Sequence, residues 1–180
     1  MKRILTVLIL TVTGLAFFSC KENSLEKQRQ NELKKLDEYI RVHYANDSDL
    51  SRRPSGLYFM ILQEGTGDSI KMGDQAQIFY EIQTLDSLNK IGSGNYEPLQ
   101  LTVLPPTELP STATYVYELK ALHEALTYMK KGSKARLIFD SQLGFGQYGS
   151  YGFTGFTPLM MELEVYKVYP AEVPEEETAD

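Results

Sequence analysis

Tryptophan is absent from the 180-residue chain, and cysteine occurs once, at Cys20. A single thiol closes no intramolecular disulfide and cannot build a multi-cysteine zinc site. Histidine is almost as scarce: His43 and His123 stand far apart, which argues against a histidine-based metal centre. Positive charge is thin as well, with 18 basic against 24 acidic side chains and no basic cluster longer than two residues. Nucleic-acid binding needs cations that displace counterions from phosphates, so no nucleic-acid partner is expected. What the sequence does contain is an ordinary globular mix, 42% hydrophobic and 23% charged, with 12 Tyr and 8 Phe. The length suits one domain with an appendage.

The appendage begins at the N-terminus. Lys2 and Arg3 precede 15 mostly apolar residues, Ile4 to Phe18. A helix of that length spans roughly 22 Å, short of the roughly 30 Å hydrocarbon core, so a signal peptide over residues 1–19 is expected rather than a membrane span. The run ends at Phe17-Phe18-Ser19-Cys20. This pattern resembles a bacterial lipoprotein signal, in which a small residue precedes the cysteine that is lipidated. The resemblance implies a membrane lipoprotein of the bacterial envelope, attached through Cys20, with its domain in the periplasm and the outer membrane as the favoured site. The alternative is a buried free cysteine in an ordinary signal. After cleavage 16 basic side chains would face 24 acidic ones, a net charge of −8, so lipid and not charge would hold the protein to an anionic surface.

Residues 20–54 follow as a charged helix and linker. Leu33, Leu36, Ile40 and either His43 or Tyr44 recur at three-to-four spacing, with charged and amide side chains between them. Such a narrow stripe packs on its own domain, or else pairs with a second helix. It covers too few heptads for a coiled coil. Arg53-Pro54-Ser55-Gly56 has the composition of a linker.

From Gly56 the hydrophobic period shortens from helix to strand. Strands are expected over Leu57–Leu62, Ala76–Ile82, Leu99–Val103, Ala135–Phe139 and Leu159–Val165, and a helix over Tyr117–Met129 closed by Lys130-Lys131-Gly132. Pro105, Pro106 and Pro110 bar residues 104–114 from a central strand and make them a surface loop. The acidic tail over 170–180 has the composition of a disordered segment. One helix embraced by five antiparallel strands is an α+β domain.

The order of several short motifs then carries a resemblance. Ser55-Gly56-Leu57-Tyr58, Glu64-Gly65-Thr66-Gly67, Gly73-Asp74 ahead of Ile78-Phe79-Tyr80, and Met129-Lys130-Lys131-Gly132-Ser133-Lys134-Ala135-Arg136-Leu137 leading to Leu143-Gly144-Phe145-Gly146 occur in succession. Residues 55–169 thus resemble an FKBP-type peptidyl-prolyl cis-trans isomerase domain. The resemblance implies a five-stranded antiparallel sheet wrapped around one helix, an apolar cradle for a proline ring, proline-containing polypeptides as partners, and no cofactor.

The reaction rotates an X-Pro amide over a barrier of roughly 18–20 kcal/mol. Twisting removes amide resonance, so a dry pocket with a few donors binds the twisted amide better than the planar one. Shape and aromatic lining therefore matter more than titratable groups. Matched position by position, the family pocket falls on Tyr80, Leu99, Leu119, Leu122, Phe145 and Met161. Tyr80 is kept, while Leu122 stands where the family has its floor Trp. Phe145 replaces a Tyr whose hydroxyl bonds the substrate, Met161 and Leu99 replace Phe, and Gly92 replaces an Asp. Glu118-Leu119 replaces a Val-Ile pair whose backbone N–H faces the substrate carbonyl, and Gly155-Phe156-Thr157-Pro158 replaces an Ile-Pro-Pro loop. A wider pocket of weakened activity is expected, unless Tyr115, Tyr117 or Phe156 fills it. The acidic residues Asp86, Glu118 and Asp140 are expected as solvated charges. The oligomeric state does not follow from the sequence.

Overall fold

A computed structural model describes residues 24–86, 92–150 and 152–172. The signal segment 1–19, the cysteine at position 20 and the tail beyond residue 172 lie outside the described residues. Among those described, no helix is long and apolar enough to cross a membrane.

The elements follow in chain order: a helix α1 over residues 24–43, β1 (Ser51–Arg52), β2 (Tyr58–Gln63), β3 (Gln75–Thr84), β4 (Gly92–Gly94), β5 (Leu99–Thr102), α2 (Lys120–Leu126), β6 (Lys134–Phe139), β7 (Gly149–Ser150), β8 (Phe153–Thr154) and β9 (Leu159–Tyr169). The main sheet has the order β1-β2-β6-β9-β3-β4, with β5 also paired to β3, and every pairing is antiparallel. Its five longer strands are the five that alternation in the sequence marks out. The fold is α+β, as expected.

Alternation decides which face is which. Ala76, Ile78, Ile82, Ala135, Leu137, Phe139, Leu159, Met161, Leu163 and Val165 all point inward and are buried in one cluster. Against them α2 presents Ala121, Leu122, Ala125 and Leu126. Burying each such side chain contributes about 1.5–3 kcal/mol, which makes this layer the main source of stability.

Two boundaries differ from expectation. The linker composition at Arg53-Pro54-Ser55-Gly56 is a hairpin turn: Arg53 N–H donates to the Leu57 carbonyl at 2.7 Å, and Ser51 pairs with Phe59. Proline and glycine serve a tight turn as readily as a flexible joint, so composition alone cannot separate the two. The central helix is also shorter. It ends at Leu126, where the Thr127 hydroxyl donates to the Glu124 carbonyl at 2.7 Å. Gly132, at φ +80°, turns the chain into β6 and does not cap the helix.

The recurring motifs hold turns. A Cβ on Gly65 would lie 2.5 Å from the Lys131 carbonyl oxygen, so only glycine lets these two turns meet. Asp74 is buried and accepts the Lys71 N–H at 2.8 Å and the Ala171 N–H at 2.9 Å, pinning the start of the acidic tail. Ser133 accepts the Lys130 N–H at 2.9 Å. These positions build the scaffold around the site.

On the other face of the sheet lies α1. Glu32 is buried on this helix, accepting the Ser141 N–H at 2.5 Å and the Ser141 hydroxyl at 2.8 Å. Arg29 bridges Glu32 and Asp140, both at 2.6 Å. Burial works against its charge, but the hydrogen bonds to Asp140 and Glu32 outweigh that and hold the guanidinium above its ordinary pKa. Further along, Tyr44 accepts from Arg136 at 3.1 Å, and Leu36 is buried. The helix therefore packs on its own domain. Of the two residues left open at its end, Tyr44 turns inward and His43 is exposed.

Candidate functional site

All six residues matched to the family pocket come together. Leu119 and Leu122 rise from the start of α2, Met161 from the middle of β9, and Phe145 from the loop after β6, all within the main apolar cluster. Tyr80 on β3 and Leu99 on β5 are partly buried and pack against the same cluster. The sequence places these residues up to 81 positions apart, from Tyr80 to Met161, and the antiparallel sheet gathers them beneath one helix end.

They do not line an open cleft. Leu119, Leu122 and Met161 are 0% exposed and Phe145 is 4% exposed. A ligand makes van der Waals contact only with surface it can reach. The expectation of a widened pocket is therefore corrected: in this structure the space is filled.

A further buried aromatic beside these residues is one the sequence comparison passes over. Phe153, on β8, is buried and stacks on Phe145 with ring centroids 5.6 Å apart and planes 15° from parallel. The three candidates named from sequence do not do this. Tyr115 and Tyr117 stack on each other at 5.3 Å and stay largely exposed, and Phe156 is only half-buried. The signal available in sequence was the missing Trp itself, since lost aromatic volume on a pocket floor invites replacement from a neighbouring loop.

The proline-containing loop at 104–114 closes over the same region. It is mostly exposed, as expected of a surface loop, but Ala113 is buried in the cluster. Two clips hold its ends. At the start, Leu104 N–H donates to His123 Nδ1 at 3.0 Å, and His123 Nε2 lies 2.7 Å from the Tyr117 carbonyl. Nδ1 accepts, so Nε2 carries the proton and the ring is neutral. Burial lowers the His123 pKa, and the Tyr117 carbonyl offsets this in part. At the other end, the Ser150 hydroxyl donates to the Thr114 carbonyl at 2.5 Å, tying the loop to the hairpin β7–β8.

Donors are in short supply. The Leu119 N–H, expected to face a substrate carbonyl, instead donates to the Val116 carbonyl at 3.1 Å within a short 3-10 turn, Val116–Glu118. Phe145 has a ring and no hydroxyl. Gly92 is exposed on β4, and a Cβ there would meet nothing nearer than 3.7 Å, so the family's acidic side chain is absent without a steric cause.

Two acidic residues expected as solvated charges are structural. The Glu118 carboxylate accepts the Thr114 N–H at 2.7 Å and the Tyr115 N–H at 3.0 Å, capping the 3-10 turn. Asp140 accepts the Gln142 N–H at 2.9 Å besides pairing with Arg29. Asp86 is exposed beside Thr84 at the end of β3. Among the described residues, no three His, Cys, Asp or Glu side chains gather as a metal site would require.

No protein-family model matches the chain. A probable FKBP-type peptidyl-prolyl cis-trans isomerase from Haemophilus influenzae is 26% identical over 157 residues, 87% of this chain and 59% of the relative. The crystal structure of FkpA from Escherichia coli superposes with a TM-score of 0.65 at 23% identity, covering 84% of this chain and 65% of that one. A peptidyl-prolyl cis-trans isomerase from Pseudomonas syringae gives 0.61 at 19% identity, over 78% of this chain and 96% of that one. The chain thus spans 59% of its sequence relative and 65% of FkpA. It has the fold of FKBP-type peptidyl-prolyl cis-trans isomerases and is similar in sequence to a probable member of that class.

Proposed function

We propose that the protein is a peptidyl-prolyl cis-trans isomerase of weakened activity, acting on proline-containing polypeptides in the bacterial cell envelope and held to the membrane by lipid at Cys20. The observation that carries this reading is the convergence of Tyr80, Leu99, Leu119, Leu122, Phe145 and Met161 on one apolar cluster. That cluster is the core of the domain, and the matched residues reach it from three strands, the start of α2 and the loop after β6. An apolar site of this kind excludes water, and excluding water favours the twisted, less polar amide over the planar one. Weak turnover is the corollary of Phe145 lacking a hydroxyl and of the Leu119 N–H being held by Val116.

A proline-limited refolding assay with the full chain tests the activity. Acceleration well below that of an intact family member is expected; equal acceleration contradicts the reading. Phe145→Tyr supplies a donor worth about 1 kcal/mol, so kcat/KM is expected to rise about fivefold. Leu122→Trp is unsuitable as a companion variant, because Leu122 is fully enclosed and a larger side chain would overpack the core.

Localisation has its own measurement. Cys20→Ala should release the protein from membrane fractions, whereas retention of this variant in the membrane contradicts lipid anchoring. A second reading, a peptide-binding module without catalysis, is favoured by the same missing donors. It predicts binding of proline peptides with no acceleration of refolding.

A further inference from the structure

The hairpin that carries Phe153 is built unlike the rest of the domain. β7 and β8 have two residues each and share only the pairs Gly149 with Thr154 and Ser150 with Phe153. A hairpin this short is marginal by itself and depends on what it packs against. What it packs with is one ring: Phe153 is buried, whereas Tyr148 is 78% exposed and the neighbouring Gly152 and Thr154 also face outward. Left-handed backbone recurs through the segment, at Gly146, Gly149, Gly152 and, exceptionally for a residue with a side chain, Phe156 at φ +53°. A Cβ on Gly149 would fall 2.2 Å from the Phe153 carbonyl oxygen, and one on Gly155 would fall 1.9 Å from that of Gln147. The segment is folded tightly on itself, with the Ser150–Thr114 bond and a Phe156 N–H bond to the Gly146 carbonyl at 3.1 Å fastening it to its surroundings.

This arrangement puts the ring of Phe153 against Phe145, in a site where Leu119, Leu122 and Met161 are fully enclosed and Tyr80 and Leu99 partly buried. We propose that Phe153 is a plug: its ring takes the place of the substrate's proline ring, and hairpin β7–β8 is a lid that must swing out before an X-Pro segment enters. The inference rests on the reading of this cluster as the X-Pro site, and it deepens that reading by naming the residue that sets its affinity. Substrate competes with an intramolecular occupant, so the apparent dissociation constant equals the intrinsic one divided by the fraction of open molecules. The plug also selects. Segments with an apolar ring able to replace a phenyl ring displace it, and segments whose proline is flanked by charge do not, since the vacated space is lined by carbon.

The test uses the full chain and a short Ala-Leu-Pro-Phe peptide. Phe153→Ala should raise kcat/KM fivefold or more, chiefly through KM, and should tighten peptide binding by a similar factor in calorimetry. Isomerisation by both proteins with equal kcat/KM and equal binding overturns the plug and leaves the isomerase reading standing. Tighter binding in the variant with no isomerisation in either protein supports the plug and removes the isomerase reading. Should Phe153→Ala fail to fold, Ser150→Ala decides, because it releases the latch and keeps the ring. About a twofold rise in kcat/KM, with faster hydrogen exchange at the amides of Gly149, Ser150, Phe153 and Thr154, supports the lid; no change in either measurement overturns it.

Discussion

On its inner face the sheet meets α2 through side chains of one kind, aliphatic and aromatic carbon without a single charge, whereas on its outer face it meets α1 across Arg29, Glu32, Asp140 and Ser141. The inner contact is non-directional and tolerates exchange of one hydrophobe for another of similar volume. The outer contact is directional. Each of its polar groups is satisfied by a particular partner, so this clamp fixes where α1 lies, while the buried Leu36 supplies the apolar part of the contact. The difference separates two tasks: the inner face holds the fold together and shapes the site, and the outer face sets the position of an appendage.

Variants that attack one face and spare the other test this division. Leu122→Ala removes enclosed carbon from the inner face and should cost about 3 kcal/mol in urea unfolding, with α1 still docked. A loss under about 1 kcal/mol would mean the inner face repacks freely. Glu32→Ala strands a buried N–H and an arginine on the outer face and should cost about 2–3 kcal/mol. Here rapid hydrogen exchange along residues 24–43, with the strand amides unchanged, is the signature; exchange confined to the strands would contradict the division.

A smaller effect comes from pH. Burial lowers the His123 pKa below its ordinary 6.5, so the unfolded chain holds more protons than the native one just below that value. The stability this neutral ring contributes is complete above pH 6.5 and is lost as the pH falls beneath it. Urea midpoints should therefore drop between pH 7.5 and 5.5, and much of that drop should vanish in His123→Gln. A drop of equal size in the variant would assign it to other groups. Least affected of all should be Lys134→Ala. Its bridge to Glu164 at 3.0 Å joins side chains 45% and 42% exposed, and such pairs contribute about 0–1 kcal/mol.

The same contrast explains what the sequence made legible. Strands β2, β3, β5, β6 and β9 are visible because period-two alternation encodes a one-sided core, and α2 because Leu119, Leu122 and Leu126 recur at helical spacing. Glu32 is invisible to that reasoning, since a glutamate among lysines and glutamines reads as solvent-facing until Ser141 is brought alongside it from 109 residues away. Strands β1 and β4 escape because they are only two and three residues long, too short to show a period. The six positions matched by resemblance meet in the core, but the burial of four of them was not legible. Nor was the burial of Phe153, which lies in a glycine-rich loop where neither periodicity nor propensity says which of several aromatic residues turns inward.

The Glu32–Ser141 clamp also bears on reach. Because α1 is fastened to the domain, it belongs to the rigid body and not to the leash. In the proposed anchored form the leash is the four-residue step from Cys20 to Ser24, at most about 14 Å of extended chain. The domain would then work as a surface-bound collar, sampling a thin shell of space above the bilayer. Polypeptides crossing that shell would meet it at high effective concentration, and those further away would hardly meet it at all.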